Sequence, residues 1–355
     1  MIGGPAYLQE SQVSSSSNGK LYNVAVVGAT GLVGQEFLRI LAGRHFPLRN
    51  LRLLASKRSA GRRITFGERE IEVEEATTRS FSGVDLVFIS ASDEASREFA
   101  PAAVKAGAIA IDDSGVWRME PKVPLVVPEV NPDDVVNHEG ILAIPNCSTT
   151  PLVMALWPLH RVNPVQRVVV ATYQSVTGTG RAAMSELIQQ NQRILENQPV
   201  APHVYPHQIA FNLLPEIGSF KDDGYTSEEW KMAAETRKIM HEPELPLSAT
   251  CVRVPVQVGH SEAVQVELSR TMAPEDAQSL LRQAPGIVVQ DDPSISLYPQ
   301  PWTAAGRDEV FVGRIRQDSS HTRGLAFWLA CDNLRKGAAL NALQIAEELI
   351  SRDLV

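Results

Sequence analysis

Cysteine is scarce: three residues, at 147, 251 and 331, stand in a chain of 355, with no CxxC spacing among them. An odd, unclustered set excludes a disulfide-stapled scaffold and a cysteine-rich zinc site, so no metal centre is expected and a reducing compartment is. Long apolar runs are missing as well. A stretch such as Gly324 to Ala330 falls far short of the roughly 20 residues that cross a bilayer. Positive charge is in deficit, with Lys plus Arg 33 against Asp plus Glu 41 and a formal net charge of −8. That is the wrong sign for coating nucleic acid or anionic lipid, so neither is an expected partner. What remains is an ordinary globular composition, 44% hydrophobic and 21% charged, on a chain about twice the length of a common single domain. Two domains are expected.

Residues 1–20 carry the run Ser14 to Ser17, no apolar core and no arginine. They fit neither a secretory signal nor a usual transit peptide, and they read as a disordered tail on a cytoplasmic protein. From Leu21 onward short β-rich runs alternate with helical periodicity: a strand ending at Val27, a helix from Leu32 to Leu41, then LRLLAS and VDLVFIS as strands. A helix from about Glu94 to Ala106 follows, then strands AIAID, VPLVVPEV and ILAIPN. This βαβ rhythm predicts an α/β fold with a parallel sheet, a Rossmann-type dinucleotide-binding domain over residues 21–146. After that point long strand-like runs, VQRVVVATYQSV and ATCVRVPVQVGHSEAVQVEL, are separated by helices near 182–196 and 227–240. They predict an α+β catalytic and dimerisation domain over 147–332. The last strand, GLAFWLACD, runs into a helical stretch within 333–355 that is expected to pack back on the first domain.

Gly28, Ala29, Thr30, Gly31, Leu32, Val33 and Gly34 form GATGLVG directly after a strand and directly before an amphipathic helix. Glycines there permit a tight turn and close backbone approach, and free N–H groups at a helix start hold a pyrophosphate. A plain glycine turn is the alternative. At the end of the next strand an NAD enzyme places a carboxylate on the ribose. This chain has ASKRSAG instead, with Ser56, Lys57, Arg58 and Ser59. Hydroxyls and cations suit a 2′-phosphate, favouring NADP, although a solvated basic turn has the same composition.

Cys147 stands in PNCSTT at a strand-to-helix junction. A thiol at a helix N-terminus ionises more easily, and thiolate is the attacking form. The same N–H groups, with the Asn146 amide, are placed to hold an oxyanion. Cys251 and Cys331 sit in apolar strands and read as buried hydrophobes. A cysteine beside a nicotinamide oxidises or reduces a carbonyl through a thioester, which calls for a proton shuttle; histidine is the side chain tuned for that work. Eight histidines are present, and spacing alone does not choose among them.

Together GATGLVG, LLASKRSAG, PNCST, TYQSVTGTG, RVPVQVGHSE, VGRIR and LRKGAALNALQIAE resemble aspartate-β-semialdehyde dehydrogenase, from about Val24 to the C-terminal helix. The resemblance implies reduction of 4-aspartyl phosphate to L-aspartate-4-semialdehyde with NADPH, in the biosynthesis of lysine, threonine, methionine and isoleucine. It implies Cys147 as acyl-carrying nucleophile, His260 as acid/base and Gln174 as the orienting amide. Arg253 is then the clamp on the substrate α-carboxylate, Glu228 meets the amine, and Lys231, Arg118 and Asn146 surround the phosphate. Glu228 and Lys231 are three apart, so an ordinary helical ion pair is the competing reading. Ser175, Gly178 and Asn333 fall at the implied nicotinamide contact. DSGVWR departs from the family's NSSAFR, leaving Gly115 without a side chain in the phosphate loop. A homodimer or homotetramer is implied. Two other readings stay open: an N-acetyl-γ-glutamyl-phosphate reductase, whose cysteine more often lies in a PGCYPT-like context, and a catalytically silent nucleotide-binding relative.

Overall fold

The computed structural model describes residues 19–355; the tail expectation for residues 1–18 lies outside the described residues. The first sheet has seven strands, β1 (Tyr22–Val27), β2 (Leu48–Ala55), β3 (Arg63–Phe66), β4 (Arg69–Glu75), β5 (Leu86–Ile89), β6 (Ile109–Asp112) and β7 (Ile141–Ala143). Their spatial order is β3-β4-β2-β1-β5-β6-β7. All pairs are parallel except β3 with β4. Valine, leucine and isoleucine fill the central strands on both faces, as a parallel sheet covered on both sides demands. Helices α1 (Leu32–Gly43) and α2 (Asp93–Lys105) cross over between its strands. The β3–β4 hairpin was not anticipated, since its strands alternate charged and apolar residues and lie mostly exposed.

The segment VPLVVPEV, read as a strand, is not one. Leu125 forms a single bridge to Ala143, and the chain then turns, with the Val130 N–H bonded to the Val127 carbonyl at 2.8 Å. Pro124 and Pro128 lack the N–H that a continuing ladder requires. The side chain of Asn131 occupies the Val127 N–H and the Leu125 carbonyl instead.

The second sheet is formed by β8 (Val165–Gln174), β9 (Leu247–Arg253), β10 (His260–Leu268), β11 (Ile287–Val289), β12 (Val310–Gln317) and β13 (Gly324–Cys331), in the order β11-β12-β13-β10-β8-β9. The run read as one long strand from Ala249 to Leu268 is two strands. Pro255 and Gly259, the latter at φ +95°, interrupt the ladder and reverse the chain. Helices α3 (Thr149–Val162), α5 (Ser227–Ile239) and α6 (Pro274–Gln283) pack on one face, burying Leu152, Leu156, Met232 and Leu281 against Val168, Val264 and Leu329. Helix α4 (Arg181–Leu195) stands apart with its own small core of Leu187, Ile209 and Leu214. A single turn, α7 (Pro301–Ala304), precedes β12.

After β13 the chain makes a π-type turn, Arg335–Ala339, and continues as α8 (Leu340–Ser351). This helix buries Leu343, Ile345 and Leu349 among Val26, Phe37, Leu41 and Ile144 of the first sheet and its helix. Burial of this order stabilises a large side chain by about 2 kcal/mol before any cavity cost. Leu343 is fully buried. Leu343→Ala is therefore expected to destabilise the fold by about 2–5 kcal/mol, read as a lowered urea midpoint with an unchanged slope.

Candidate active site

Two strand topologies bring the site residues to one edge. In the first sheet the C-terminal ends of β1, β5, β6 and β7 lead into Gly28, Ser90, Asp113 and Cys147, the end at which open α/β sheets bind ligands. In the second, β8 and β9 are parallel and pair Gln174 with Arg253 in register at their last residues. Strand β10 runs antiparallel to β8, so its first residue, His260, arrives at that same end.

Cys147 is half-buried, with its Sγ 3.2 Å from Nε2 of fully buried His260. Ser148 is the N-cap of α3, which leaves Cys147 one residue outside the helix. Burial pushes its thiol up to about 12, the Glu228 carboxylate adds to this, and Arg253 and Arg118 oppose it. The expectation of easy ionisation at the helix start is thus overturned by desolvation. Burial, helped by the Arg253 charge, lowers His260 to about 3. The pair rests as a thiol beside a neutral imidazole.

Around it lie two buried guanidinium groups. Arg118 bonds through Nη1 to Glu235 at 3.1 Å and through Nη2 to the Asp113 carbonyl at 2.8 Å. Arg253 donates from Nη1 to the Ser175 carbonyl at 2.7 Å and lies over the Tyr205 ring. In both, Nε is buried with no acceptor among the described residues, an unusual state for a charged donor and one that an incoming anion relieves. Burial pushes the Asp113 carboxyl up to about 7 despite Arg118.

Glu228 and Lys231 are not the plain surface pair that their spacing allowed. Glu228 is buried, accepts from Asn146 Nδ2 at 2.7 Å and sits 3.6 Å from Lys231 Nζ. The Asn146 amide is held on both sides, its Oδ1 receiving the Ser148 N–H at 2.8 Å and one of its two Nδ2 hydrogens going to Glu228. Gln174 is buried, its Nε2 3.3 Å from Thr172 Oγ1. A Cβ on Gly178 would fall 2.9 Å from Arg253 Nη1 and 3.3 Å from the His260 ring, so this glycine keeps the wall thin. Gly115 faces Lys231 Cε.

The glycine loop fits a nucleotide by shape. Gly28 has φ +86°, and a Cβ there would lie 1.9 Å from the Ser90 carbonyl oxygen; one on Gly34 would lie 2.3 Å from the Gly28 oxygen. The N–H groups of Gly28 and Ala29 bond to Leu54 and that of Gly31 to Gly28. The Thr30 N–H and the first-turn N–H groups of Leu32 to Gly34 are left for an anion. Ser56 and Arg58 are exposed on the turn after β2, whereas Ser59 is buried and closes that turn. Ser175 and Asn333 are buried beside His260 and bonded to each other at 3.0 Å.

Sequence reasoning missed two residues. Glu235 bridges Arg118 and the Asn146 N–H, the latter at 2.7 Å; it lies seven residues beyond Glu228, hence on the same helix face, which was a readable signal. Gly337, in the π-type turn, presses on Cys147, where a Cβ would come 2.9 Å from the cysteine Cβ.

Two family models cover most of the chain: semialdehyde dehydrogenase, NAD binding domain, over residues 23–138, and semialdehyde dehydrogenase, dimerisation domain, over 156–336. The aspartate-semialdehyde dehydrogenase of Bacillus subtilis is 50% identical over 345 residues, 95% of this chain and all of that one. The chain belongs to the aspartate-semialdehyde dehydrogenase family. Among solved structures, aspartate semialdehyde dehydrogenase II of Vibrio cholerae complexed with ASA is similar at a TM-score of 0.92 and 42% identity, covering 95% of this chain and 100% of that one. The enzyme of Candida albicans with NADP matches at 0.75 and 27%, over 95% and 100%. Among the described residues, no helix is long and apolar enough to cross a membrane.

Two residues beyond His260 on β10 stands an acid with no partner among the described residues. Glu262 is fully buried, and among the described residues neither carboxyl oxygen has a hydrogen-bond partner. Burial alone holds it well above the ordinary value of 4.5, so the fold favours the protonated form. That contribution is complete below the unfolded value and is lost as pH rises toward the folded one. A glutamine does not titrate. The stability of Glu262→Gln relative to wild type is expected to grow by about 1.4 kcal/mol per pH unit above pH ~4.5, read from urea midpoints across pH. A difference that stays constant with pH refutes the assignment.

Proposed function

We propose that the chain is an NADP-dependent, phosphorylating aspartate-semialdehyde dehydrogenase that reduces 4-aspartyl phosphate to L-aspartate-4-semialdehyde, in the biosynthesis of lysine, threonine, methionine and isoleucine. The observation that carries this reading is the Cys147–His260 contact of 3.2 Å between two buried guanidinium groups with unpartnered Nε–H. Aspartyl phosphate has two anionic ends to match them. Arg118 and Lys231 take the phosphate, with Asn146 holding Glu228 in place; Arg253 takes the α-carboxylate in planar, charge-assisted contact. Glu228 receives the substrate ammonium, and Gln174 orients the acyl group without titrating.

Sγ of Cys147 attacks the acyl carbon while Nε2 of His260 takes the thiol proton, and phosphate leaves with the C–O bonding pair. A thioester remains on the sulfur. Bound in the glycine cradle, the reduced nicotinamide supplies the hydride. His260 returns its proton to the carbonyl oxygen as the thiohemiacetal forms. It takes that proton back as the C–S bond breaks and the aldehyde departs. The thin wall at Gly178 supports a flat ring lying against this site. The cradle from Gly28 to Gly34 fits a dinucleotide backbone, and exposed Ser56 and Arg58 support a 2′-phosphate.

Residues 21–146 with 333–355 are the nucleotide-binding part in this reading, and 147–332 the catalytic and dimerisation part. The face of the second sheet away from α3 leaves Tyr173, Ala263 and Trp328 only partly covered, which supports a homodimer, or a dimer of dimers, formed there. Three unbridged cysteines support a reducing, cytoplasmic setting.

NADPH formation from aspartate semialdehyde and phosphate tests the reading. Cys147→Ala is expected to lower turnover by at least about a thousandfold, and His260→Ala by about 10² to 10⁴. Arg58→Ala is expected to raise KM for NADP about tenfold and leave that for NAD unchanged, as loss of one charged phosphate contact requires. Full activity in Cys147→Ala rules the mechanism out.

A further inference from the structure

Strands β5 and β6 are parallel, with Ile89 opposite Asp112, so Ser90 and Asp113 leave the sheet side by side at its ligand-binding end. The Asp113 N–H continues the ladder to the Ile89 carbonyl at 2.8 Å, and its own carbonyl holds Arg118 Nη2 at 2.8 Å. The Asp113 carboxyl accepts one hydrogen bond, from the Ser90 hydroxyl to Oδ2 at 2.9 Å, and Oδ1 has no hydrogen-bond partner among the described residues. Its neighbour differs. Asp112 is fully buried and receives the Ser114 N–H and the hydroxyls of Ser114 and Ser96. Asp112 shapes the loop, and Asp113 is left half-buried with an oxygen to spare.

Both cations at the phosphate end already carry a carboxylate. Glu235 bonds Arg118 at 3.1 Å, and Glu228 stands 3.6 Å from Lys231. Of the other groups nearby, Cys147 and His260 rest neutral, Arg253 serves the α-carboxylate end, and Lys238, further along α5, is bonded to the carbonyls of Arg118, Glu120 and Val123. The sign at the phosphate end is therefore set by Asp113. As a neutral acid it leaves Arg118 and Lys231 balanced by Glu235 and Glu228; as a carboxylate it adds a negative charge in front of an incoming dianion. Like charges in a site of low effective dielectric repel strongly. Burial already pushes this carboxyl up to about 7, with Asp112 adding to it and with Arg118 and the Ser90 hydroxyl opposing. A bound phosphate acts on it in the direction of Asp112.

We propose, resting on the reading of Arg118 and Lys231 as the phosphate site, that Asp113 is the proton-linked member of that site: as a neutral acid it admits the anion to the two cations, and as a carboxylate it repels it. At alkaline pH the phosphate then enters together with one proton, taken from solvent onto the Asp113 carboxyl and returned when the anion leaves.

The test uses the full chain without cofactor. Inorganic phosphate is titrated calorimetrically into the wild type, Asp113→Asn and Ser90→Ala across neutral and mildly alkaline pH, in two buffers of unlike protonation enthalpy. The ratio of the wild-type dissociation constant to that of Asp113→Asn is expected to be near unity at about pH 6 and about tenfold larger by about pH 8, as the admitting fraction of Asp113 falls. At the higher pH the wild type is expected to take up close to one proton more per phosphate than Asp113→Asn. The ionisation of phosphate itself is common to both chains and cancels in the comparison. Ser90→Ala loses the donor that favours the carboxylate, so its affinity is expected to hold to higher pH than that of the wild type. A ratio that stays constant with pH, or equal proton uptake by the two chains, overturns the proposal, as does a Ser90→Ala chain whose affinity falls at lower pH than the wild type's. A wild type that shows the extra proton uptake and yet turns over no aspartate semialdehyde supports the proton linkage and overturns the activity reading instead.

Discussion

Desolvation governs this site more than any single charge. Cys147 and His260 are held in contact where water does not reach the imidazole, and the absence of water keeps both groups neutral. In that setting the fixed charges of Arg118 and Arg253 act at low effective dielectric, and each retains an uncommitted Nε–H. The fold thus arrives with its cations already buried and already anchored, Arg118 by Glu235 and Arg253 by the Ser175 carbonyl. Anchoring of this kind fixes the geometry before a ligand binds and lessens reorganisation during reaction.

The anchors come from separate elements, and strand direction explains how they meet. Parallel β8 and β9 end together, antiparallel β10 begins where they end, and α5 lays Glu228, Lys231 and Glu235 along one face toward Asn146. A reversed direction in β10 would carry His260 to the far end of the sheet. The catalytic edge is therefore a property of the sheet order as much as of the residues.

How much of this the sequence reveals depends on the range of the interaction. GATGLVG and PNCSTT are local, since a turn that needs Gly28 at positive φ, or a cysteine just before an apolar helix, shows in a few consecutive residues. The β-rich and helical rhythm likewise predicts an α/β unit followed by an α+β unit, and it fails at VPLVVPEV because two prolines outweigh the apolar pattern. Gln174, Arg253 and His260 meet only through long-range pairing, so spacing could not select them and a family resemblance had to. The ionisation of Cys147 was misread for the same reason: the helix start is written locally, but the burying walls and the Glu228 carboxylate come from other parts of the chain.

Gly337 touches Cys147 from a turn that lies 190 residues further along the chain, and α8 just beyond it completes the core under the glycine cradle. A nascent chain emerging from the ribosome therefore exposes its thiol segment long before the piece that seals it exists. Until about residue 351 has been made, the first sheet lacks one of its covering layers and the cysteine lacks one of its walls. Assembly of the reactive centre is in this way postponed until α8 has been made, when both sheets are available to close on it.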